Sequence, residues 1–164
     1  MKKLLLSIAT VALAGSFAMA DTAEFDFANN TYGLTRATDK NDPYIESGTP
    51  VTNDGVTLTL QKTDGKNGWR LWEDGLRVYK ASGSTMTIDA TGSLITDVEM
   101  TFAKANVATP SISGTAFSTE DNKTYTWSNA TGIEAPTVTF DVSATAPIVT
   151  LSITYVSGGS GLAP

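Results

Sequence analysis

Short alternating runs of apolar and polar residues dominate the chain from Asp21 onward. Ala23-Glu24-Phe25-Asp26-Phe27-Ala28 puts both phenylalanines on one face of a strand. Val56-Thr57-Leu58-Thr59-Leu60-Gln61 repeats the period after an Asn53-Asp54-Gly55 turn. Further on, Met86 and Ile88 point inward from one strand. Val98, Met100 and Phe102 do so from the next, with Asp97, Glu99 and Thr101 outward. Pro110 opens Ser111-Ile112-Ser113, and Lys123-Thr124-Tyr125-Thr126-Trp127 carries both aromatics on one side. Val138-Phe140-Val142 and Val149-Leu151-Ile153-Tyr155 complete the pattern. Helical spacing persists nowhere beyond about two turns, and Ala103 to Ala108 is the one ambiguous piece. The pattern predicts an all-β chain of nine or ten short strands. In one domain these make an antiparallel β-sandwich, and the need to close or cover sheet edges favours a jelly roll.

Two stretches depart from this rhythm. Asn29 to Asp54, with Pro43, Pro50 and two glycines, is longer than an ordinary connection. It is either a packed functional loop or the host of a short strand around Tyr44-Ile45-Glu46. The other stretch, Gly68 to Tyr79, holds two of the three tryptophans and two arginines around an Asp-Gly pair. Asp-Gly between alternating flanks predicts a type I′ hairpin turn, in which both central residues need positive φ. A turn at Asp74-Gly75 pairs Glu73 with Leu76, Trp72 with Arg77, Leu71 with Val78 and Arg70 with Tyr79. Arg70, Trp72, Arg77 and Tyr79 then share one face, while Trp69, Leu71, Leu76 and Val78 share the other, which is core.

Composition changes the picture at the termini. Lys2 and Lys3, the apolar run Leu4 to Ala14 and the small-x-small Ala18-Met19-Ala20 make residues 1–20 a secretory signal peptide of bacterial character. The domain is then 21–156, followed by a Gly/Ser tail over 157–164. The expected location is secreted, at the cell surface or in the extracellular matrix, with the periplasm as the other destination. Without Lys2 and Lys3, nine basic residues face 17 acidic ones, a net charge of about −8. That argues against nucleic acid and anionic membrane surfaces as partners, and no membrane insertion is expected after signal removal.

The sequence also resembles known exported modules. Phe25-Asp26-Phe27, Gly68-Trp69-Arg70-x-Trp72-x-x-Gly75-Leu76-Arg77-x-Tyr79, Ile95-Thr96-Asp97-Val98 and Thr126-Trp127-Ser128 are similar to a little-characterised family of exported bacterial β-sandwich modules. Such modules look like carbohydrate-binding or galactose-binding-like jelly rolls, and the resemblance implies fold and export but no set activity. The Gly/Ser tail resembles the spacer that precedes a PEP-CTERM sorting signal. The Pro-Glu-Pro motif, apolar helix and basic tail of that signal do not occur in this sequence.

Candidate chemistry is narrow. The sequence contains no His and no Cys, which removes the usual general base and the soft metal ligands. A two-carboxylate glycoside hydrolase needs neither. Asp97 and Glu99, two apart on a strand, put their carboxyls about 7 Å apart on one face. An ordinary solvated strand face explains them more simply. No cofactor is expected. Structural calcium at Asp39-Lys40-Asn41-Asp42 or Asp64-x-x-Asn67 is the remaining option, although neither has the full loop spacing. The Arg70/Trp72/Arg77/Tyr79 face is the sharper ligand-binding candidate, since sugar rings stack on flat aromatics and hydroxyls suit planar multi-donor guanidinium groups. Cation–π contact within the hairpin, or cover from the Asn29–Asp54 loop, would make the same cluster purely structural. The expected function is a non-enzymatic exported module that binds a polysaccharide or other glycan. The alternative is a structural or adhesive surface protein that contacts other proteins through its sheet edges.

Overall fold

The computed structural model describes residues 18–62, 67–80 and 83–158. The expected signal peptide up to Phe17, Asp64 and its neighbours, Ala81-Ser82 and the tail after Gly158 lie outside the described residues. Thirteen strands and no helix are found among those described. They are β1 (Ala20–Asp26), β2 (Thr49–Asn53), β3 (Val56–Lys62), β4 (Arg70–Trp72), β5 (Gly75–Val78), β6 (Ser84–Asp89) and β7 (Ser93–Phe102). Then come β8 (Ala108–Ile112), β9 (Thr115–Ala116), β10 (Ser118–Thr119), β11 (Thr124–Ile133), β12 (Thr137–Val142) and β13 (Ala146–Ser157). The count exceeds the expected nine or ten because short edge pieces pair as well: β4 has three residues, β9 and β10 two each. No strand forms at Tyr44-Ile45-Glu46. The long connection instead contributes β2, an edge strand that carries Pro50, where a missing N–H is tolerated.

The strands make two antiparallel sheets. One runs β10-β11-β7-β13-β5-β4, with β1 also beside β13; the other runs β2-β3-β6-β12-β8-β9. Four pairings, β5 with β13, β6 with β12, β7 with β11 and β8 with β9, form one long two-ply ribbon. Its turns fall alternately in the two sheets, which is the jelly-roll wrap. Side chains from both inner faces meet in one core. Phe25, Val98, Met100, Phe102, Leu151 and Ile153 come from one sheet, and Leu58, Leu60, Met86, Ile88, Ile112 and Val138 from the other. The inward residues expected of β3, β6 and β7 are all buried. In β13 the alternation slips between Ile148 and Thr150, so Ile148 is buried and Val149 only half-buried. A bulge of this kind cannot be read from a regular period.

The β4–β5 hairpin differs from expectation in its turn. Arg70 pairs with Arg77, Leu71 with Leu76, and Trp72 with Gly75, so the two turn residues are Glu73-Asp74 and not Asp74-Gly75. Neither has positive φ, which excludes type I′; Gly75, at φ 129°, is the residue in the positive region. A type I′-like pair does occur at Asp54-Gly55 (φ 45° and 78°), between β2 and β3. The reason for the difference is spatial. A Cβ on Gly75 would lie 2.8 Å from the Ile148 carbonyl carbon and closer still to its oxygen. Gly75 is thus placed where β13 packs against the hairpin, not at the turn itself.

Candidate functional site

Moving a two-residue turn by one position changes each pairing by two, so the sorting of side chains between faces survives. Trp69, Leu71, Leu76 and Val78 are buried in the core. Trp69 also packs edge-on against Phe140 (5.5 Å) and donates its indole N–H to the Gln61 carbonyl (3.0 Å). Arg70, Trp72, Arg77 and Tyr79 lie on the other side. The Arg77 guanidinium sits 4.4 Å from the Trp72 ring centre, and the Trp72 indole N–H donates to the Tyr79 hydroxyl (3.0 Å). Trp72, Arg77 and Tyr79 are half-buried, whereas Arg70 is only 8% exposed.

The covering element is the long connection. Backbone N–H groups of Ala37 and Ile45 donate to the carbonyls of Leu71 (2.7 Å) and Trp69 (2.8 Å), so this loop closes the outer edge of β4. That brings Tyr44 over the guanidinium of Arg70 at 3.8 Å and edge-on to Tyr79 at 5.9 Å. The Tyr44 hydroxyl donates to Asn67 Oδ1 (2.6 Å), which holds the ring in place. Arg36 is the residue that sequence reasoning passed over. Its guanidinium donates to the carbonyls of Trp72, Phe27 (3.1 Å) and Ala28 (2.8 Å) and so ties the loop, β1's end and the hairpin together. Arg36, Arg70 and Arg77 are all the arginines in the sequence.

A groove separates loop and hairpin. One cavity, about 340 Å³, is lined by Ala37, Thr38, Trp72, Glu73, Asp74 and Arg77. A second, about 270 Å³, shares Ala37 and Thr38 and is walled by Arg36, Arg70, Asp42 and Ile45. The donor groups at its two ends differ. Arg77 gives Nε and Nη2 to the Asp74 carboxylate, both at 2.9 Å. Burial pulls its pKa down, but the hydrogen bond and charge of Asp74 outweigh that and raise it. Among the described residues the Arg70 side chain makes a hydrogen bond only to the Asp42 carbonyl, and its buried Nε has no partner there.

The other candidates are dispersed. Asp97 and Glu99 are both exposed on β7 beside a depression of about 230 Å³, and Asp97 accepts the Ser128 hydroxyl (2.7 Å). This is a solvated polar face. Another cavity, about 430 Å³, lies at the opposite edge of the same sheet, lined by Ser118, Thr119, Glu120, Asp121, Thr124 and Thr126. Its Asp121 caps the backbone N–H groups of Lys123 and Thr124. In the loop considered for calcium, Asp42 Oδ2 accepts the N–H groups of Thr38 and Asp39 (2.9 Å for the latter), and Asp39 accepts that of Asn41. These are self-capping turns. Asp64, in the other loop considered for calcium, lies outside the described residues.

These capped carboxylates carry a pH signature. Hydrogen bonds from Thr38 and Asp39 hold Asp42 below the ordinary aspartate value; the Asn29 side chain does the same to Asp26, and the N–H of Thr124 to Asp121. A carboxyl with a lowered native pKa stabilises the fold above its unfolded value, and that contribution fades as pH falls through the native one. The melting temperature should therefore be level through neutral pH and drop below the ordinary value of 3.8. Asp42→Asn should make the drop shallower in thermal scans across pH 2–6, a range of about two units either side of that value.

No family model matches the chain, and comparison with curated proteins and with solved structures gives no match either. The resemblance drawn from the motifs is supported only as far as an all-strand, two-sheet antiparallel sandwich.

Proposed function

We propose that the chain is an exported, non-enzymatic binding module that holds a glycan in the groove between the β4–β5 hairpin and the 35–45 loop. The observation that carries this reading is the groove itself. Its two cavities share Ala37 and Thr38, and between them they are lined by Trp72, which is hydrogen-bonded to Tyr79, and by all three arginines. An aromatic edge beside fixed multi-donor cations offers both the apolar and the hydrogen-bonding contacts that a sugar ring needs. Export is supported by the charged, apolar and small-residue pattern of residues 1–20 and by the start of β1 at Ala20. Cleavage after Ala20 keeps the β1 pairing from Asp21 opposite Tyr155 onward. Adhesion through sheet edges has less support, because the loop hydrogen-bonds along β4 and Pro50 blunts β2.

The test is affinity electrophoresis of residues 21–158 through gels containing neutral and acidic polysaccharides. Retention by at least one polymer is expected. Trp72→Ala should weaken that retention by about tenfold, the scale of one aromatic contact. No retention by any polymer, or retention indifferent to Trp72, would overturn the reading.

A further inference from the structure

We infer that the inner cavity is an anion subsite, in which Arg70 and Arg36 receive a carboxylate or sulfate carried on a sugar, so that the module selects acidic glycans over neutral ones. The inference rests on the glycan reading above and adds the class of ligand. Its starting point is charge. The chain is acidic, with a formal net charge of −6, yet its three arginines all reach this one groove. Arg77 is matched by Asp74. Among the described residues, the guanidinium groups of Arg36 and Arg70 are hydrogen-bonded only to backbone carbonyls, and no carboxylate forms an ion pair with either.

A buried guanidinium without a counter-charge is costly, and a buried N–H without an acceptor adds to that cost. Arg70 has no hydrogen-bonded counter-charge: Tyr44 packs on its guanidinium, one N–H bonds the Asp42 carbonyl, and among the described residues Nε has no acceptor, while the Asp42 carboxylate acts on it only through space. The Asp42 carboxylate also lines the cavity, but its acceptor oxygen is engaged elsewhere. Its Oδ2 is taken by the Thr38 and Asp39 N–H groups and the Thr38 hydroxyl (3.3 Å). It lowers the potential at Arg70 without occupying its donors. The cavity between the two guanidinium groups also presents Thr35 and Thr38, and its volume of about 270 Å³ lies at the small end for ligand sites. That suits one charged substituent or one ring, while the rest of a polymer continues past Trp72 in the open part of the groove. A planar fork facing a planar carboxylate, or a tetrahedral sulfate, is the geometry in which arginine outperforms lysine.

Bulk electrostatics predict the reverse preference, since a net-negative protein repels polyanions. A local site is therefore distinguishable from unspecific attraction. The probes are polygalacturonate, the same polymer with its carboxyls reduced to alcohols, and dextran against dextran sulfate, all with residues 21–158. Wild type should bind at least one acidic polymer about tenfold more tightly than its neutral counterpart. A preference for uronate identifies carboxylate as the bound group, and a preference for dextran sulfate identifies sulfate. Arg70→Gln should abolish the preference, whereas Lys104→Gln, which lines neither cavity, should leave it intact. Should Arg70→Gln fail to fold, wild type alone decides: free glucuronate or glucose 6-sulfate should raise its melting temperature more than glucose does. Equal affinity for acidic and neutral forms, with binding still dependent on Trp72, overturns the anion subsite and spares the glycan reading. Absence of binding to every polymer overturns both.

Discussion

Gly75→Ala should destabilise the protein by at least about 3 kcal/mol, or prevent folding altogether. The added methyl would enter the space of the Ile148 carbonyl, and the residue would have to hold φ 129°. Relief requires β13 to move off the hairpin, which breaks the pairing of Leu76 with Ile148 and of Arg77 with Pro147. Gly114→Ala is the matched control. Gly114 also has positive φ (78°), but nothing lies within 4 Å of a Cβ there. Only the backbone cost of about 1–2 kcal/mol applies to it. Urea denaturation of both variants separates conformation from collision. Equal losses would mean that the close approach of β13 to Gly75 does not exist in solution.

The second large effect contrasts two tryptophans three residues apart. Trp69→Ala should cost about 4 kcal/mol, because a fully buried ring, its edge-on contact with Phe140 and its bond to the Gln61 carbonyl are lost together. Trp72→Ala removes a half-buried ring, its contact with Arg77 and its bond to Tyr79, and should cost about 1 kcal/mol. The comparison is again a denaturation midpoint. A Trp72 loss as large as that of Trp69 would make the outward face part of the framework, and the binding experiment with that variant would lose its meaning.

The hairpin shows what was legible beforehand and what was not. The period of two in Trp69-Arg70-Leu71-Trp72 sorts core from surface wherever the turn falls, so the guanidinium and ring side chains were placed on one face despite a misplaced turn. The turn itself was misread because Asp-Gly carries two meanings. At Asp54-Gly55 it supplies positive φ for a tight reversal, while at Asp74-Gly75 the glycine supplies absence of a side chain against another strand. Only the position of Ile148, distant in sequence, distinguishes them. The burial of Arg70 beneath Tyr44 and the reach of Arg36 to Trp72 have the same origin. They are contacts made by a connection without periodicity, and a pattern-based reading has no purchase on such a segment. One signal was available: an acidic chain with just three arginines, the third inside its longest irregular stretch.

The placement of β1 has a consequence for how the chain must be handled before it is complete. Its strand partner is β13, so Phe25 pairs opposite Leu151 and Ala23 opposite Ile153. A polypeptide released amino end first presents Phe25 and Phe27 long before their strand partner exists, and closure waits for the last strand to arrive. During that interval the inner face of β1 stays uncovered, and slow acquisition of structure should be traceable to this one late handshake.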